Sequence, residues 1–571
     1  MMLGRVSLAI VAAGILLFVL TGWGAVPWLF LLAALLGIVV VVHSRLLNAR
    51  DRARSAVAFY ERGLRRVRHE WIGHGETGER FRPAGHLYVD DLDIFGRGSL
   101  FELLATARTQ AGEDVLASWL LAPAPPDEVI ARQDAVRELV PRVDLREAMA
   151  VAGDGLPRAG VDAAALRAWA ASPPILTRSW PRVVMAVLSA IVAALLLTLA
   201  VAGDLPPTLA RLLLAIFVLQ SAFVIAMRAR VERTNHAVAS AAHDLELFTG
   251  LLRILERERF SSPRLQALAG ALVRSHRPAS AEIAKLDQLV ALLNSRANIF
   301  MALPAALMFW GTQMAMAIDA WRTRLSKDVP RWLEVVGEFD ALLALAGFAA
   351  EHPRYPFPTF ATGVAEISAD GLAHPLLDDS AVANDVALGG EAPRLLVVSG
   401  SNMSGKSTLL RAIGLNVVLA QTGAPVRASR LVLSPLAVGA SIRVLDSLMD
   451  GTSRFFAEIT RLKHVVDLVS THDGHVLFLL DEILSGTNSH DRRLGADALL
   501  QGLIERDAIG LVTTHDLALG EIATRMAPRA ANVHFEDRFE AGRMTFDYRL
   551  RPGIVQTSNA IELMRSIGLD V

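Results

Sequence analysis

The chain has 571 residues, of which 53% are hydrophobic and 20% are charged. This composition is too apolar for an ordinary soluble protein and too charged for a pure transporter core, so we expect membrane segments joined to soluble domains. With a net charge of −1, the chain lacks the excess of basic residues that is typical of nucleic-acid-binding proteins. The absence of cysteine excludes disulfides and thiolate metal sites, and the scattered histidines do not indicate a zinc site.

Four apolar segments, arranged in two pairs, are predicted to span a membrane as helical hairpins. The first pair is 6–20 and 28–42, and the second pair is 183–201 and 212–227. The two segments of the first pair are slightly shorter than the roughly 20 residues that a spanning helix needs, but the flanking residues extend both. A secretory signal peptide is the alternative for the first segment, and the second apolar segment that follows at once favours the hairpin.

The arginines that flank these hairpins predict their orientation. They cluster at the open ends, and the turns carry almost none, so both open ends should face the cytoplasm. We therefore expect a multi-pass protein of the inner (cytoplasmic) membrane, with its large domains in the cytoplasm and the lipid bilayer as a partner. If a fifth apolar stretch, 299–318, also spanned the membrane, the rest of the chain would lie on the opposite side of the membrane. We therefore interpret this stretch as a buried or membrane-surface helix. The flanking residues are Arg5, Arg45, Arg50, Arg52 and Arg54, then Arg178, Arg182, Arg228, Arg230 and Arg233.

The rest of the chain separates into helical and α/β parts. Apolar residues at spacings of three to four predict helices before residue 352, and prolines at 352–360 indicate a linker. Beyond it, β-branched runs alternate with helical stretches, which indicates a parallel sheet with crossover helices. The predicted fold is an α-helical core domain with transmembrane helical hairpins plus an α/β P-loop NTPase domain of the ABC-like type. The predicted strands are 394–398, 476–480 and 509–513. The predicted domains are 1–50, 51–181, 182–228, 229–360 and 361–571.

A phosphate-binding P-loop follows the first of these strands. Its glycines allow backbone N–H groups to surround phosphate oxygens, the lysine can reach the β- and γ-phosphates, and the serine hydroxyl can ligate Mg²⁺. An apolar strand before it and a helical stretch after it provide the context that this motif requires. The predicted nucleotide-binding residues here are Gly400, Ser401, Asn402, Met403, Ser404, Gly405, Lys406, Ser407 and Thr408.

Two later strands end in residues that could complete an ATPase site. The strand 476–480 is followed by Asp481 and Glu482. This spacing would place Asp481 beside Mg²⁺ and Glu482 where it can polarise the attacking water. The strand 509–513 is followed by Thr514 and His515, and a histidine there could sense the γ-phosphate.

Five motifs in this part of the chain together resemble those of a known family. They are GSNMSGKST (400–408), TGAPVRA (422–428), DGTSRFFAE (450–458), DEILSGT (481–487) and THDLAL (514–519). These resemble GPNMGGKST, TGxPVPA, SGxSTFxxE, DEIGRGT and THxxEL of the MutS family of DNA mismatch-repair proteins. Upstream, the region 86–150 resembles the start of the MutS helical core domain.

The resemblance implies an ATPase that binds ATP and Mg²⁺ at composite sites of a head-to-tail homodimer. Ser453 would complete the nucleotide site of the second subunit, so Ser453, Lys406, Glu482 and His515 are the expected catalytic residues. Ser407 and Asp481 are the expected metal ligands. His374 belongs to an HP pair and Asn384 matches an adenine-proximal asparagine, so both are expected to bind nucleotide. DNA, mismatched or branched, is a possible partner by the resemblance alone.

The chain also departs from the family pattern. The sequence before residue 86 has no room for mismatch-reading and connector domains, and it contains no Phe-x-Glu wedge. The second predicted hairpin interrupts the helical core where the family has its levers and DNA clamps, and Arg454 replaces the usual threonine. These departures weigh against mismatch recognition, but not against ATP-driven switching of a dimer.

Two other functions are less consistent with this sequence. An ABC-type transporter half-subunit would also combine membrane spans with a related ATPase. However, an LSGGQ signature is missing, and Leu484-Ser485-Gly486 follows Asp481 rather than preceding it. A catalytically silent scaffold is disfavoured because the P-loop, Glu482 and His515 are intact.

Overall fold

The structure is a computed structural model that describes residues 26–153, 163–173, 180–203, 206–274, 277–295, 310–401, 403–443, 454–540 and 543–555. Three predictions fall outside this description: the first membrane segment at 6–20, Asn402 in the P-loop, and Ser453. The described chain has a helical part that ends at residue 351 and an α/β part that follows it.

The helical part contains twelve helices among the described residues. They are α1 (Val26–Val67), α2 (Leu100–Leu104), α3 (Gln110–Leu121), α4 (Pro126–Leu139), α5 (Val143–Gly153), α6 (Ala163–Ala171), α7 (Trp180–Ala202), α8 (Pro207–Arg257), α9 (Pro263–Ala271), α10 (Ala279–Asn294), α11 (Trp310–Leu325) and α12 (Asp328–Glu351). A small antiparallel pair, β1 (Val273–Arg274) and β2 (Arg277–Pro278), lies between α9 and α10.

The apolar segments lie in three long helices. The segment 28–42 opens α1, 183–201 lies in α7, and 212–227 lies in α8. Since α1 and α8 continue without a break for 42 and 51 residues, the predicted boundaries at 50 and 228 fall inside helices. Within the described residues, one helical segment, Pro207–Ala226, is long and apolar enough to cross a membrane, and the apolar segment Val183–Leu199 is shorter.

Helices α7 and α8 contact each other through a buried polar pair. Gln220 Nε2 of α8 donates to Ser189 Oγ of α7 at 3.1 Å, and both side chains are buried. The fifth apolar stretch is described from Trp310, where α11 begins. Ile318 in this helix is buried in the helical core, and Met316 is also buried, as expected for a core helix.

Helix α12 is the central element of the helical core and is buried along most of its length. Its Asp340 carboxylate accepts hydrogen bonds from the backbone N–H groups of Arg108 and Thr109 and from Thr109 Oγ1, each at 2.8 Å. Burial raises the pKa of Asp340, and these hydrogen bonds oppose that shift. A Cβ at Gly112 would lie 2.6 Å from Asp340 Oδ2, so the glycine permits the close approach of α3 to α12.

The α/β part contains two sheets and four further helices among the described residues. The strands are β3 (Thr359–Phe360), β4 (Glu366–Leu372), β5 (Asn384–Gly389), β6 (Leu395–Ser399), β7 (Arg430–Leu433), β8 (Ala437–Ser441), β9 (Val476–Leu480), β10 (Ile509–Thr514), β11 (Ala530–Glu540) and β12 (Arg543–Pro552). The helices are α13 (Lys406–Thr422), α14 (Arg454–Thr471), α15 (Ser489–Glu505) and α16 (Leu517–Arg525).

The larger sheet has the strand order β12-β11-β6-β10-β9-β8. All its pairings are parallel except that of β11 with β12. The smaller sheet has the order β3-β7-β4-β5. Strands β6, β9 and β10 are buried at every residue, which explains their continuous apolar runs, since parallel strands are covered on both faces. The three strands predicted from the sequence are therefore confirmed, and their carboxyl ends lie side by side.

Asp91 joins the helical part to the α/β part. Its Oδ1 accepts from the backbone N–H groups of Ile442 at 2.7 Å and Arg443 at 2.6 Å, just after β8. Arg461 of α14 bonds its other carboxylate oxygen. Arg411 Nε of α13 donates to the Asp91 carbonyl at 3.0 Å. One residue of the helical part thus contacts three elements of the α/β part, including the helix that begins at the P-loop.

Candidate functional site

The P-loop turns from the end of β6 into the first residue of α13. Gly405 has a φ of 104° at this turn, a conformation that glycine adopts without steric cost. A Cβ at Gly405 would also lie only 3.1 Å from a ring carbon of Tyr548. The hydroxyls of Ser401 and Ser404 are buried and have no hydrogen-bond partner among the described residues. The loop therefore offers unsatisfied donors at a helix N-terminus, the arrangement that binds phosphate.

Lys406 lies across this loop and is almost completely buried. Its Nζ donates to the carbonyls of Gly400 at 2.7 Å and Ser401 at 2.9 Å. Glu482 Oε1 is 4.0 Å from the same ammonium. Burial lowers the pKa of Lys406, and the nearby carboxylates of Glu482 and Asp481 oppose this shift. The ammonium lies where it can exchange its hydrogen bonds to these backbone carbonyls for hydrogen bonds to phosphate oxygens.

Asp481 is bound by two hydroxyls from neighbouring elements. Ser407 Oγ of α13 donates to Asp481 Oδ2 at 2.5 Å. Thr513 Oγ1 of β10 bonds the other carboxylate oxygen. The predicted metal ligands, Ser407 and Asp481, are therefore brought together by the parallel pairing of β6, β10 and β9.

Glu482 follows Asp481 in a backbone conformation that is uncommon for a residue other than glycine. Its φ is 47°, and its N–H donates to Thr513 Oγ1 at 3.1 Å. This geometry turns the carboxylate towards the P-loop, with Oε1 3.5 Å from His515 Nδ1 and 4.0 Å from Lys406 Nζ. The predicted catalytic residues Lys406, Glu482 and His515 thus lie together at one edge of the sheet.

A cavity of about 640 Å³ extends from the P-loop to the segment between β4 and β5. His374 and Asn384 line it together with Lys406 and Ser407. The N–H of Leu376 donates to His374 Nδ1 at 3.2 Å, so that nitrogen carries no proton and Nε2 is the donor. Burial, together with the nearby positive charges of Arg411 and Arg427, lowers the pKa of His374 to about 4. The imidazole is therefore neutral at physiological pH.

Asn384 differs in detail from its predicted role. Its Nδ2 donates to the Tyr548 carbonyl at 3.0 Å, and its Oδ1 accepts from the Leu550 N–H at 2.7 Å. Asn384 lines the cavity, but its amide holds β12 and thereby positions Tyr548, whose half-exposed ring lies beside Gly405. Tyr548 was not predicted from the sequence, because no motif surrounds it and its position depends on an irregularity in the pairing of β12, where its φ is 54°.

Glu458 is a second residue whose place was not predicted. Its carboxylate lies on α14 and bonds the backbone N–H of Leu484, in the loop that follows Glu482. A Cβ at Gly486 would lie 3.1 Å from the Phe455 Cβ. Residues of the DGTSRFFAE and DEILSGT motifs therefore meet in space, and their contact supports the loop that carries Glu482.

The structure locates two of the four remaining predicted site residues. Met403 is exposed at the rim of the cavity, and Thr408 also lines it. Asn402 and Ser453 lie outside the described residues. Within the described chain, no group of three or more histidine, cysteine, aspartate or glutamate side chains could hold a metal ion by itself. The Ser407–Asp481 pair offers two ligands, a number that suits Mg²⁺ when phosphate oxygens and water supply the others.

Fold and site together define a class. A P-loop after the central strand of a parallel sheet, with an aspartate at the end of a nearby strand, is the arrangement of P-loop nucleoside triphosphatases. Residues 396–570 match the family model of MutS domain V. This part of the chain is therefore similar to MutS domain V, in agreement with the resemblance of its motifs, and the ABC-type transporter alternative is not favoured.

Three relatives show how far the similarity to known proteins extends. The chain is 35% identical over 248 residues to the DNA mismatch repair protein MutS of Natronomonas pharaonis, covering 41% of this chain and 27% of that protein. It is 35% identical over 250 residues to Endonuclease MutS2 of Thermus thermophilus, covering 43% and 32%. It is 32% identical over 269 residues to the DNA mismatch repair protein MSH6 of Arabidopsis thaliana, covering 43% and 20%. The matched region thus spans less than a third of each of these relatives.

Proposed function

We propose that this chain is a membrane-anchored MutS-like ATPase whose ATP binding and hydrolysis drive conformational switching of a dimer. The observation that carries the proposal is the constellation at the edge of the larger sheet. Ser407 and Asp481 form a 2.5 Å hydrogen bond there, beside Lys406 and Glu482. This set supplies phosphate binding, metal ligation and a base in a single cavity.

The cavity fits ATP with Mg²⁺. The unpartnered hydroxyls of Ser401 and Ser404 and the N-terminus of α13 suit phosphate oxygens. Mg²⁺ held by Ser407 and Asp481 would neutralise charge on the β- and γ-phosphates. Glu482 is placed to orient the attacking water and accept its proton, and His515, 3.5 Å away, holds that carboxylate from its exposed side. Tyr548 offers an aromatic face for the base at the rim of the cavity.

The proposal includes a homodimer with composite sites, on the basis of the family resemblance. In that arrangement Ser453 of each subunit would complete the nucleotide site of the other. The described geometry is compatible with this, since Met403 is 83% exposed and the P-loop side of the cavity is open. The ordered link from α13 through Asp91 to the helical part provides a route by which nucleotide binding can move the helical part.

DNA is proposed as the partner whose structure regulates turnover. Two of the relatives are a DNA mismatch repair protein and an endonuclease, and the matched region spans less than a third of each. We expect the full chain, purified in detergent, to hydrolyse ATP alone and severalfold faster with branched DNA than with plain duplex DNA, and mismatched DNA is the comparison that tests mismatch recognition.

Steady-state hydrolysis with each DNA, at one fixed salt concentration, is the measurement, since phosphate contacts weaken as salt rises. A matched Glu482→Gln preparation serves as the control for contaminating ATPases. Equal rates with every DNA and without DNA would remove the DNA partner from the proposal and leave the ATPase.

Membrane anchoring rests on the apolar surface of three helices. Leu214 and Ile225 of α8 are 63% and 72% exposed, and α7 and the first part of α1 expose further large apolar side chains. Contiguous exposed apolar surface of this kind marks a lipid or protein interface. Together with the arginines at the open ends, it supports a multi-pass inner-membrane protein with a cytoplasmic ATPase domain.

Alkaline and high-salt washing of membranes tests this anchoring. We expect the chain to stay with the membrane until detergent is added. Leu214→Arg should lower the membrane-bound fraction, because an arginine at the centre of a spanning helix costs about 2.5–3.5 kcal/mol. Leu64→Arg is the matched control, since Leu64 is also exposed but lies in the polar part of α1. Release of the unaltered chain by the wash would contradict anchoring.

A further inference from the structure

One wall of the nucleotide cavity is built by an irregular segment. This segment, 373–383, connects β4 to β5, and its His374, Leu377 and Ser380 line the cavity on the side away from the P-loop catalytic groups. An irregular segment has no ladder of its own to satisfy its backbone carbonyls, so other groups must hold it.

Arg427 holds this segment through its side chain. The guanidinium is buried, with Nη1 donating to the His374 carbonyl at 3.0 Å and also to the Leu377 carbonyl, and Nη2 donating to the Asp378 carbonyl at 2.7 Å. The nearest carboxylate atom, Asp379 Oδ1, is 3.9 Å away on a side chain that is 87% exposed. Such a pair contributes little, so the three carbonyls are the functional partners of this cation.

The backbone of Arg427 ties the same segment to the P-loop helix. Its N–H donates to Asn416 Oδ1 at 2.7 Å, and Asn416 Nδ2 donates to the Ala373 carbonyl at 2.9 Å. The Ala373 N–H in turn donates to the Arg427 carbonyl at 2.9 Å. Asn416 is completely buried in the middle of α13, the helix that starts at Lys406. The hydrogen bonds among Arg427, Asn416 and Ala373 therefore set the distance between this wall of the cavity and the helix that begins at the P-loop.

We propose that Arg427 is a positioning residue that sets the base-side wall of the cavity and so determines how tightly the base of a nucleotide is held. This inference rests on the proposed ATP binding. Arginine stands here where the family pattern TGxPVPA has proline, which has no side-chain donor. The positive charge of Arg427 also helps to keep the imidazole of His374 uncharged, so that Nε2–H is available as a neutral donor.

Comparing a nucleotide with a ligand that lacks a base tests the proposal. We expect Arg427→Met in the full chain to raise KM for ATP about tenfold while kcat changes less than about twofold. Inorganic tripolyphosphate, used as a competitive inhibitor, should keep its inhibition constant, because it contacts only the P-loop end. Arg427→Lys should give an intermediate KM, since one ammonium cannot reach three carbonyls in the geometry of the guanidinium.

Arg430→Gln is the matched control, because Arg430 lies three residues further on and is exposed. It should leave KM for both ligands unchanged. An unchanged KM for ATP in Arg427→Met, or equal weakening of ATP and tripolyphosphate, would overturn the proposal. If Arg427→Met does not fold, Arg427→Lys carries the same comparison. Failure of the proposed function is distinguishable, since the unaltered chain would then neither bind nor hydrolyse ATP.

Discussion

Replacing Glu482 with glutamine is expected to lower kcat for ATP by at least about 100-fold while ATP binding is retained. The substitution keeps the length of the side chain and removes its ability to accept a proton from water. The Lys406 ammonium, 4.0 Å from Glu482 Oε1, stays in place because it is held mainly by the Gly400 and Ser401 carbonyls. Phosphate binding by the P-loop should therefore survive.

Single-turnover hydrolysis and equilibrium binding of a fluorescent ATP analogue separate the two effects. Binding within about threefold of the unaltered protein is expected, and the nucleotide should stay uncleaved. Glu505→Gln is the control, since Glu505 is an exposed carboxylate at the end of α15. If Glu482→Gln turned over ATP at the normal rate, the general base would have to be another residue.

Replacing Lys406 with alanine is expected to abolish measurable turnover and to weaken ATP binding about 100-fold. Hydrogen bonds from a charged donor contribute about 1.5–3 kcal/mol each, and about 2.7 kcal/mol corresponds to 100-fold. The fold itself should tolerate the change, because burying the charged ammonium costs desolvation energy, as the lowered pKa of Lys406 indicates. Removing the ammonium removes that cost. An unchanged or higher Tm without nucleotide is therefore expected.

The Lys406 variant is distinguished from the Glu482 variant by the step that it blocks. Lys406→Ala should lose affinity for ATP and for tripolyphosphate alike, whereas Glu482→Gln should keep both. Lys463→Ala is the matched control, since Lys463 is exposed on α14 and pairs with Asp467 of the same helix. Full ATP turnover by Lys406→Ala would refute the assignment of this cavity as the ATP site.

Local sequence patterns predicted those site residues that lie within a few residues of the end of a strand. The run 476–480 predicted a buried strand, and its end placed Asp481 and Glu482 at the sheet edge, where the structure has them. The P-loop motif predicted a turn between a strand and a helix for the same reason. Ser407 and Asp481 are 74 residues apart, yet their contact was predictable because parallel strands bring their carboxyl ends to one edge.

Contacts that depend on register between distant segments were not predictable. Tyr548 reaches Gly405 only because β12 pairs antiparallel with β11, and Asn384 then fixes its backbone. Arg427 contacts segment 373–378 only because an irregular connection passes over it. Neither position has a periodicity or a spacing that distinguishes it from an ordinary strand or turn residue.

The sequence by itself therefore determined the class of chemistry, the α/β architecture around it and the apolar character of four segments, because these depend on residue type and short spacing. The tertiary structure decided which side chains face the cavity, which amides are already engaged, and how the helical part is joined to the P-loop helix through Asp91. Those features depend on the packing of segments tens to hundreds of residues apart. A one-residue change in strand register would move them while leaving every local motif intact.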